Sequence, residues 1–121
     1  MRTLMTVTKA LADANRVRII SALRERELCV CQLIEMLALA PSTVSKHLSI
    51  LRQARLLDDR KEARWMYYRR PDAPTVLVRQ ALALVDAALA DDPQALADAR
   101  HVDRILCVDK EELCRNQAQR S

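Results

Sequence analysis

A mostly α-helical chain carrying one small β-hairpin is what three features of this sequence predict. Its 121 residues contain no Gly and no Phe, and half of them are apolar, with Leu and Ala dominant, a composition that favours helices. Apolar residues recur at helical spacing through most of the first 53 positions. The periodicity then fails once, in residues 56–70, LLDDRKEARWMYYRR, where the three aromatic residues gather in short β-prone runs. The length suits one compact domain and leaves little room for a separate catalytic module.

Taken in order, residues 3–14 place Leu4, Val7 and Leu11 on one helical face, with Asn15 as the expected stop. Residues 16–24 repeat the pattern with Val17, Ile20 and Leu23, and residues 31–40 form a short helix packing Leu33, Met36 and Leu37. Pro41 and Ser42 break and restart the chain, with Ser42 or Thr43 available as caps. The next helix buries Val44, Leu48 and Leu51 and turns Thr43, Ser45, Lys46, His47, Ser49 and Arg52 outward. Two short helices around a tight joint are the outline of a helix-turn-helix. Leu56-Leu57 and Trp65–Tyr68 are then expected to pair across a loose DDRKEA loop as a wing, with Ala63 where Gly would better tolerate a left-handed backbone. The fold expected is therefore a winged helix-turn-helix. After Pro71 and Pro74, TVLVRQALALVDAALA reads as a helix with more apolar circumference than one packing face needs, which suggests a subunit interface. Residues 1–90 are expected to hold the DNA-binding and dimerisation domain, and residues 91–121 a helical tail, in one or two pieces, carrying Cys107 and Cys114.

Charge is concentrated. Residues 1–40 carry six Lys/Arg against four Asp/Glu, residues 41–70 eight against three, and residues 71–121 six against nine. A basic centre with an acidic end has the form of an electrostatic footprint for nucleic acid, although a solvated face would look the same. No run of about 18 apolar residues and no secretory signal is present, so a soluble, cytoplasmic protein is expected, with no membrane partner.

In that compartment thiols stay reduced, and Cys29, Cys31, Cys107 and Cys114 are expected as ligands, redox sensors or core fillers rather than structural disulfides. The segment ELCVCQL, residues 27–33, sets two cysteines one residue apart, a spacing that is neither a redox C-x-x-C nor half a zinc knuckle. On an ideal helix residues two apart point about 200° from each other, so the pair can chelate one atom only where the backbone is not helical. Soft thiolates favour As(III), Sb(III), Cd(II) or Pb(II) over hard ions. The plainer alternative is Cys31 as a small buried hydrophobe and Cys29 as an incidental surface thiol.

KALADANRVRIISAL, ELCVCQL, PSTVSKHLSILRQARLL and DRKEARWMYYRR follow one another as they do in the ArsR/SmtB family of winged-helix repressors, and the chain resembles the arsenic-responsive members, whose hallmark is E-L-C-V-C. The resemblance spans residues 5–90. It implies a homodimer on a palindromic double-stranded operator, released when As(III) or Sb(III) binds, with no organic cofactor. Two departures stand out. Ile34 occupies the place where many arsenic repressors have a third Cys, and Arg55 and Ala63 fill positions where glycine is common.

The site residues that follow are Cys29 and Cys31 as metal ligands, with Cys107 and Cys114 as candidates for a third. Ser42, Thr43, Ser45, Lys46 and His47 are expected on DNA from the recognition helix, and Arg60, Lys61 and Arg64 from the wing. His47 suits helix packing equally well. Trp65, Tyr67 and Tyr68 read as hairpin packing, and His101 has no partner set for a metal. Leu4, Val7, Leu11, Val76, Leu77, Leu82, Leu84, Val85 and Leu89 are expected at the dimer interface. A thiol redox or persulfide sensor, with Cys29 or Cys31 bridged to Cys107, is the competing function, and a Cd(II)/Pb(II) sensor a variant of the first. An enzyme is not expected: there is no nucleophile–base set, and no phosphate-cradling loop without glycine.

Overall fold

The computed structural model describes residues 1–120 and is mostly helical, with one three-stranded antiparallel sheet. Helix α1 spans Arg2–Ala10 and α2 Ala14–Ala22. Between them Asp13 caps α2, accepting from the backbone N–H groups of Asn15 at 2.8 Å and Arg16 at 3.1 Å. Asn15 therefore lies inside a helix and does not stop one. Burial alone would raise the Asp13 carboxyl, but the hydrogen bonds from Arg16 and Asn15 outweigh it and hold the group below its ordinary value. Arg16 closes the preceding helix, donating to the carbonyls of Ala10 at 2.7 Å and Lys9 at 3.1 Å.

Strand β1, Leu28–Cys29, leads without a loop into α3, Val30–Leu37. Ala38, at φ 55°, ends α3, and α4 starts three residues on at Pro41 and runs to Gln53. Its N-cap is Ala40 with Pro41 at N1, so neither Ser42 nor Thr43 serves as the cap. The C-terminus of α4 is a Schellman motif. Arg55 N–H donates to Arg52 O and Leu56 N–H to Leu51 O, with Arg55 at φ 63°.

Strands β2, Asp58–Glu62, and β3, Trp65–Arg69, form the wing, in sheet order β1-β3-β2. Two sequence expectations are corrected here. Leu56 and Leu57 are not strand but fully buried core, and DDRKE is not a loop but the edge strand. Pairing of Glu62 with Trp65 leaves only Ala63 and Arg64 to turn the chain. Two-residue turns favour a left-handed backbone, and Ala63 adopts φ 54°. Charge along β2 does not exclude it from the sheet, because an edge strand tolerates and even requires charges against non-specific pairing.

Helices α5, Val76–Leu89, α6, Pro93–Ile105, and α7, Lys110–Arg120, complete the chain. Thr75 caps α5, and Asp92 caps α6 ahead of Pro93. Residues beyond 90 share the core rather than trailing from it: Val102, Ile105 and Leu113 are buried with Ile19, Ile20, Leu33, Leu48 and Leu51. Arg18 fastens α2 to α6 through both oxygens of buried Asp98, at 2.9 and 3.0 Å, and Gln94 donates to the same carboxylate. Arg70 fastens the wing's end to α5 and α2, donating to both Asp86 oxygens and twice to Ile20 O.

Two outcomes follow for stability. Glu25, Ala38, Arg55 and Ala63 all hold positive φ without being glycine, a conformation costing L-residues roughly 1–2 kcal/mol each. Arg55→Gly is expected to stabilise by about 0.5–1 kcal/mol, since glycine's greater freedom in the unfolded chain takes back part of the gain. A thermal melt that rises by a few degrees checks it. The hydrogen bonds from Arg70 hold the Asp86 carboxyl below its ordinary value against the opposing effect of burial. Its contribution is therefore present above the ordinary carboxylate range and fades as pH falls through the lowered folded value. Asp86→Asn should cost about 1–2 kcal/mol at neutral pH and make the acid side of a stability-against-pH curve shallower.

Candidate metalloid and nucleic-acid sites

The two ELCVCQL cysteines sit on either side of a change in backbone. Cys29 ends β1 with an extended backbone, φ −83° and ψ 164°, and serves as the N-cap of α3, while Cys31 is the helix's second residue. The ideal-helix objection to joint chelation therefore does not apply to the pair. Cys29 is fully buried, and its N–H donates to Gln32 Oε1 at 2.9 Å. Leu28 and Cys29 pair with Tyr68 and Tyr67, which ties Cys29 to the wing.

Cys31 is bonded to Cys114 of α7, with Cα atoms 5.6 Å apart. Two expectations are corrected by that bond: the cysteines are not all free thiols, and the bridging partner in the C-terminal region is Cys114, not Cys107. Cys107 is exposed, donates to Asp103 O, and lies in the turn between α6 and α7, so it shares no helical face with Cys114. Cys29, Cys31 and Cys114 line one cavity of about 580 Å³ together with Trp65 and Met66 of the wing. With Cys31 and Cys114 joined, no three His, Cys, Asp or Glu side chains among the described residues are set to hold a metal. Ile34, where a third cysteine would fall in line, is buried in the core.

Helix α7 is held beside this cavity from several sides. Gln117 donates to Cys31 O at 2.7 Å and to Glu35 at 3.2 Å, and Leu113 is buried. Glu111 pairs with Arg64 at 2.6 Å. Lys110 lies over the Trp65 and Tyr67 rings and donates to the Tyr67 hydroxyl, which with nearby negative charge raises its pKa against the small effect of burial.

In α4, Ser42, Thr43, Ser45 and Lys46 are exposed in the first turns, and no side chain caps that end. Pro41 has no N–H, and the N–H groups of Thr43 and Val44 both donate to Ala40 O, so this end offers mainly the partial positive charge of the helix. His47 is half-buried instead, with Nδ1 3.3 Å from Arg16 Nη1, an arrangement that leaves Nε2 as the protonated nitrogen. In the wing, Lys61 is exposed, but Arg60 is gripped by Glu27 at 2.6 and 2.8 Å and by Glu62 at 3.0 Å, which raises its pKa and lowers that of Glu27. Arg60 also stacks on Tyr67. The sequence shows these cations but not the carboxylates that meet them.

The expected interface residues divide. Val7, Leu82 and Val85 are buried in the chain's own core, so they cannot offer a free face to a partner; Leu11, Leu77 and Leu89 are partly covered against it. The large apolar side chains left exposed on α1 and α5 are Leu4, Met5, Val76 and Leu84.

A helix-turn-helix with an exposed, uncapped second helix and an adjoining wing defines a winged-helix DNA-binding transcriptional regulator, not an enzyme. Residues 13–59 match the family model described as bacterial regulatory protein, arsR family. The chain is 41% identical over 92 residues to the arsenic resistance transcriptional regulator ArsR1 of Pseudomonas putida, covering 72% of each protein. It is 34% identical to the arsenical resistance operon repressor of Escherichia coli, over 88% of this chain and 91% of that one. Among solved structures, HlyU of Vibrio cholerae superposes with a TM-score of 0.64 at 29% identity, over 74% of this chain and 95% of that one. The chain belongs to the ArsR family of transcriptional regulators.

Because Lys46 is exposed in the first turns of α4 while Arg64 already has Glu111 as a partner, Lys46→Glu should weaken DNA binding more than Arg64→Glu. Loss of one phosphate contact should lower the slope of log affinity against log salt by about 0.9. Salt titrations by fluorescence anisotropy check both; equal losses would remove the distinction.

Proposed function

We propose that this chain is a metalloid-responsive repressor that binds a palindromic operator as a homodimer and is released when As(III) or Sb(III) binds the thiolates of Cys29 and Cys31. The observation carrying this reading is the position of that pair across the β1–α3 junction. One ion drawing both sulfurs to roughly 2.3 Å, as in a zinc thiolate, pulls an extended residue paired with the wing toward a helical residue of the element that packs on α4. Ligand binding is thereby coupled to the orientation of the recognition helix, and the coupling acts equally in both directions. The arsenic-resistance regulators to which the chain is similar support the choice of ligand. Exposed Leu4, Met5, Val76 and Leu84 support a two-fold contact through α1 and α5. Ser42, Thr43, Ser45 and Lys46 are the residues assigned to base edges and phosphates, with Lys61 on the flanking backbone.

The Cys31–Cys114 bond favours a second reading, a thiol-redox regulator acting through the same DNA machinery. The two separate under strong reductant, where arsenite still releases a metalloid sensor and a redox sensor is silent. In a gel shift on inverted-repeat DNA with a phosphine reductant, arsenite should displace the parent chain. Cys29→Ser and Cys31→Ser should bind DNA within about twofold of the parent, a difference under 0.5 kcal/mol, and fail to respond. A Cys29→Ser, Cys31→Ser double variant that arsenite still displaces would refute the assignment.

A further inference from the structure

Building on that reading of Cys29 and Cys31, we propose that Cys114 supplies the third thiolate of the arsenite site, and that the Cys31–Cys114 disulfide is the closed form of the same site, so that the chain answers arsenite only when reduced. Three of the four cysteines line one cavity and the fourth, Cys107, does not. The cavity holds far more than one arsenic atom. Cys31 and Cys114 come from helices 83 residues apart in sequence, yet their Cα atoms are 5.6 Å apart, within reach of a shared ion.

Reduction does not remove Cys114 from this place, because the contacts holding α7 do not depend on the sulfur bond. Lys110 and Glu111 precede Cys114 and engage Tyr67 and Arg64 of the wing. Leu113 beside it is buried, and Gln117, one turn later, holds Cys31 O. Ile34 fills the in-line position with a side chain that cannot ligate, and Cys114 provides from across the cavity the sulfur missing there.

The chemistry closes on named reactants. A small thiol reductant of the glutathione type delivers two electrons and two protons to the Cys31–Cys114 bond; that bond breaks, two thiols form, and two reductant molecules join as a disulfide. Arsenous acid, As(OH)3, then condenses with the thiols of Cys29, Cys31 and Cys114, forming three As–S bonds and releasing three waters, with arsenic trivalent throughout. In the oxidised chain only Cys29 of the three is available, and a single thiolate forfeits the gain from chelation.

Alkylation mapping on the whole 121-residue chain tests this without a variant. After phosphine reduction, arsenite should slow the labelling of half-buried Cys31 and Cys114 by iodoacetamide and leave exposed Cys107 reactive, as read by peptide mass spectrometry, while buried Cys29 labels slowly in both states. Cys114→Ser should weaken arsenite binding at least about tenfold, followed by near-ultraviolet thiolate-to-arsenic absorption, whereas Cys107→Ser should match the parent. Circular dichroism of Cys114→Ser establishes that it is folded, and the protection pattern of the parent decides the ligand set if it is not. The oxidised chain should bind arsenite only after reductant is added. Protection of Cys31 without Cys114, or protection of Cys107, overturns the role of Cys114 and leaves the proposed function standing. Protection of no cysteine overturns both, and equal binding by oxidised and reduced chains overturns the redox gate.

Discussion

Two residues, Leu28 and Cys29, join the parts of this molecule. Their backbone pairs with Tyr68 and Tyr67 of the wing, and without an intervening loop the chain enters α3, which carries the packing of α4, α6 and α7. Leu28 and Cys29 are both fully buried. A strand of two residues contributes few hydrogen bonds of its own; it is stable because the core beneath it and the helix after it leave it nowhere else to go. The wing and the recognition helix are thereby referred to one fixed point. A change at that point is felt by both, since close-packed interiors shift between discrete arrangements instead of deforming smoothly.

The helical part of this design was open to reading because its signals are local. Val44, Leu48 and Leu51 repeat at helical spacing and all three are buried. Arg55 and Ala63, singled out as occupants of positions where glycine is common, do take left-handed backbones, so a chain without glycine places other residues there and bears the steric cost. The second strand of the hairpin lies where the sequence places it, at Trp65, whereas the first lies beyond Leu56-Leu57, at Asp58–Glu62. DDRKE has poor strand propensity, and what makes it a strand is the partner across from it, with Arg60 opposite Tyr67 and Glu62 opposite Trp65. Strand β1 has no signature in sequence, being set only by tertiary pairing.

The sites were legible to a similar depth. The C-x-C spacing announces thiolate chemistry and the basic stretch announces DNA, because both depend on neighbouring residues. What lay hidden was every long-range meeting: Cys31 with Cys114, Arg18 with Asp98, Arg64 with Glu111. Helix α5 shows a related limit. It is apolar around much of its circumference, and periodicity cannot say which part the chain covers itself; Leu82 and Val85 turn inward while Val76 and Leu84 stay exposed.

The wing's arginines arrive already neutralised. Arg60 carries Glu27 and Glu62, and Arg64 carries Glu111, as built-in counterions. A polyanion that meets the wing thus exchanges places with the protein's own carboxylates as well as with condensed salt, and these remain attached nearby after displacement. Fewer free ions are liberated per contact than a bare count of cations implies. Were phosphate to meet the wing, it would have to outcompete a neighbour that never diffuses away, and such tethered acids would disfavour loose association with other negatively charged surfaces.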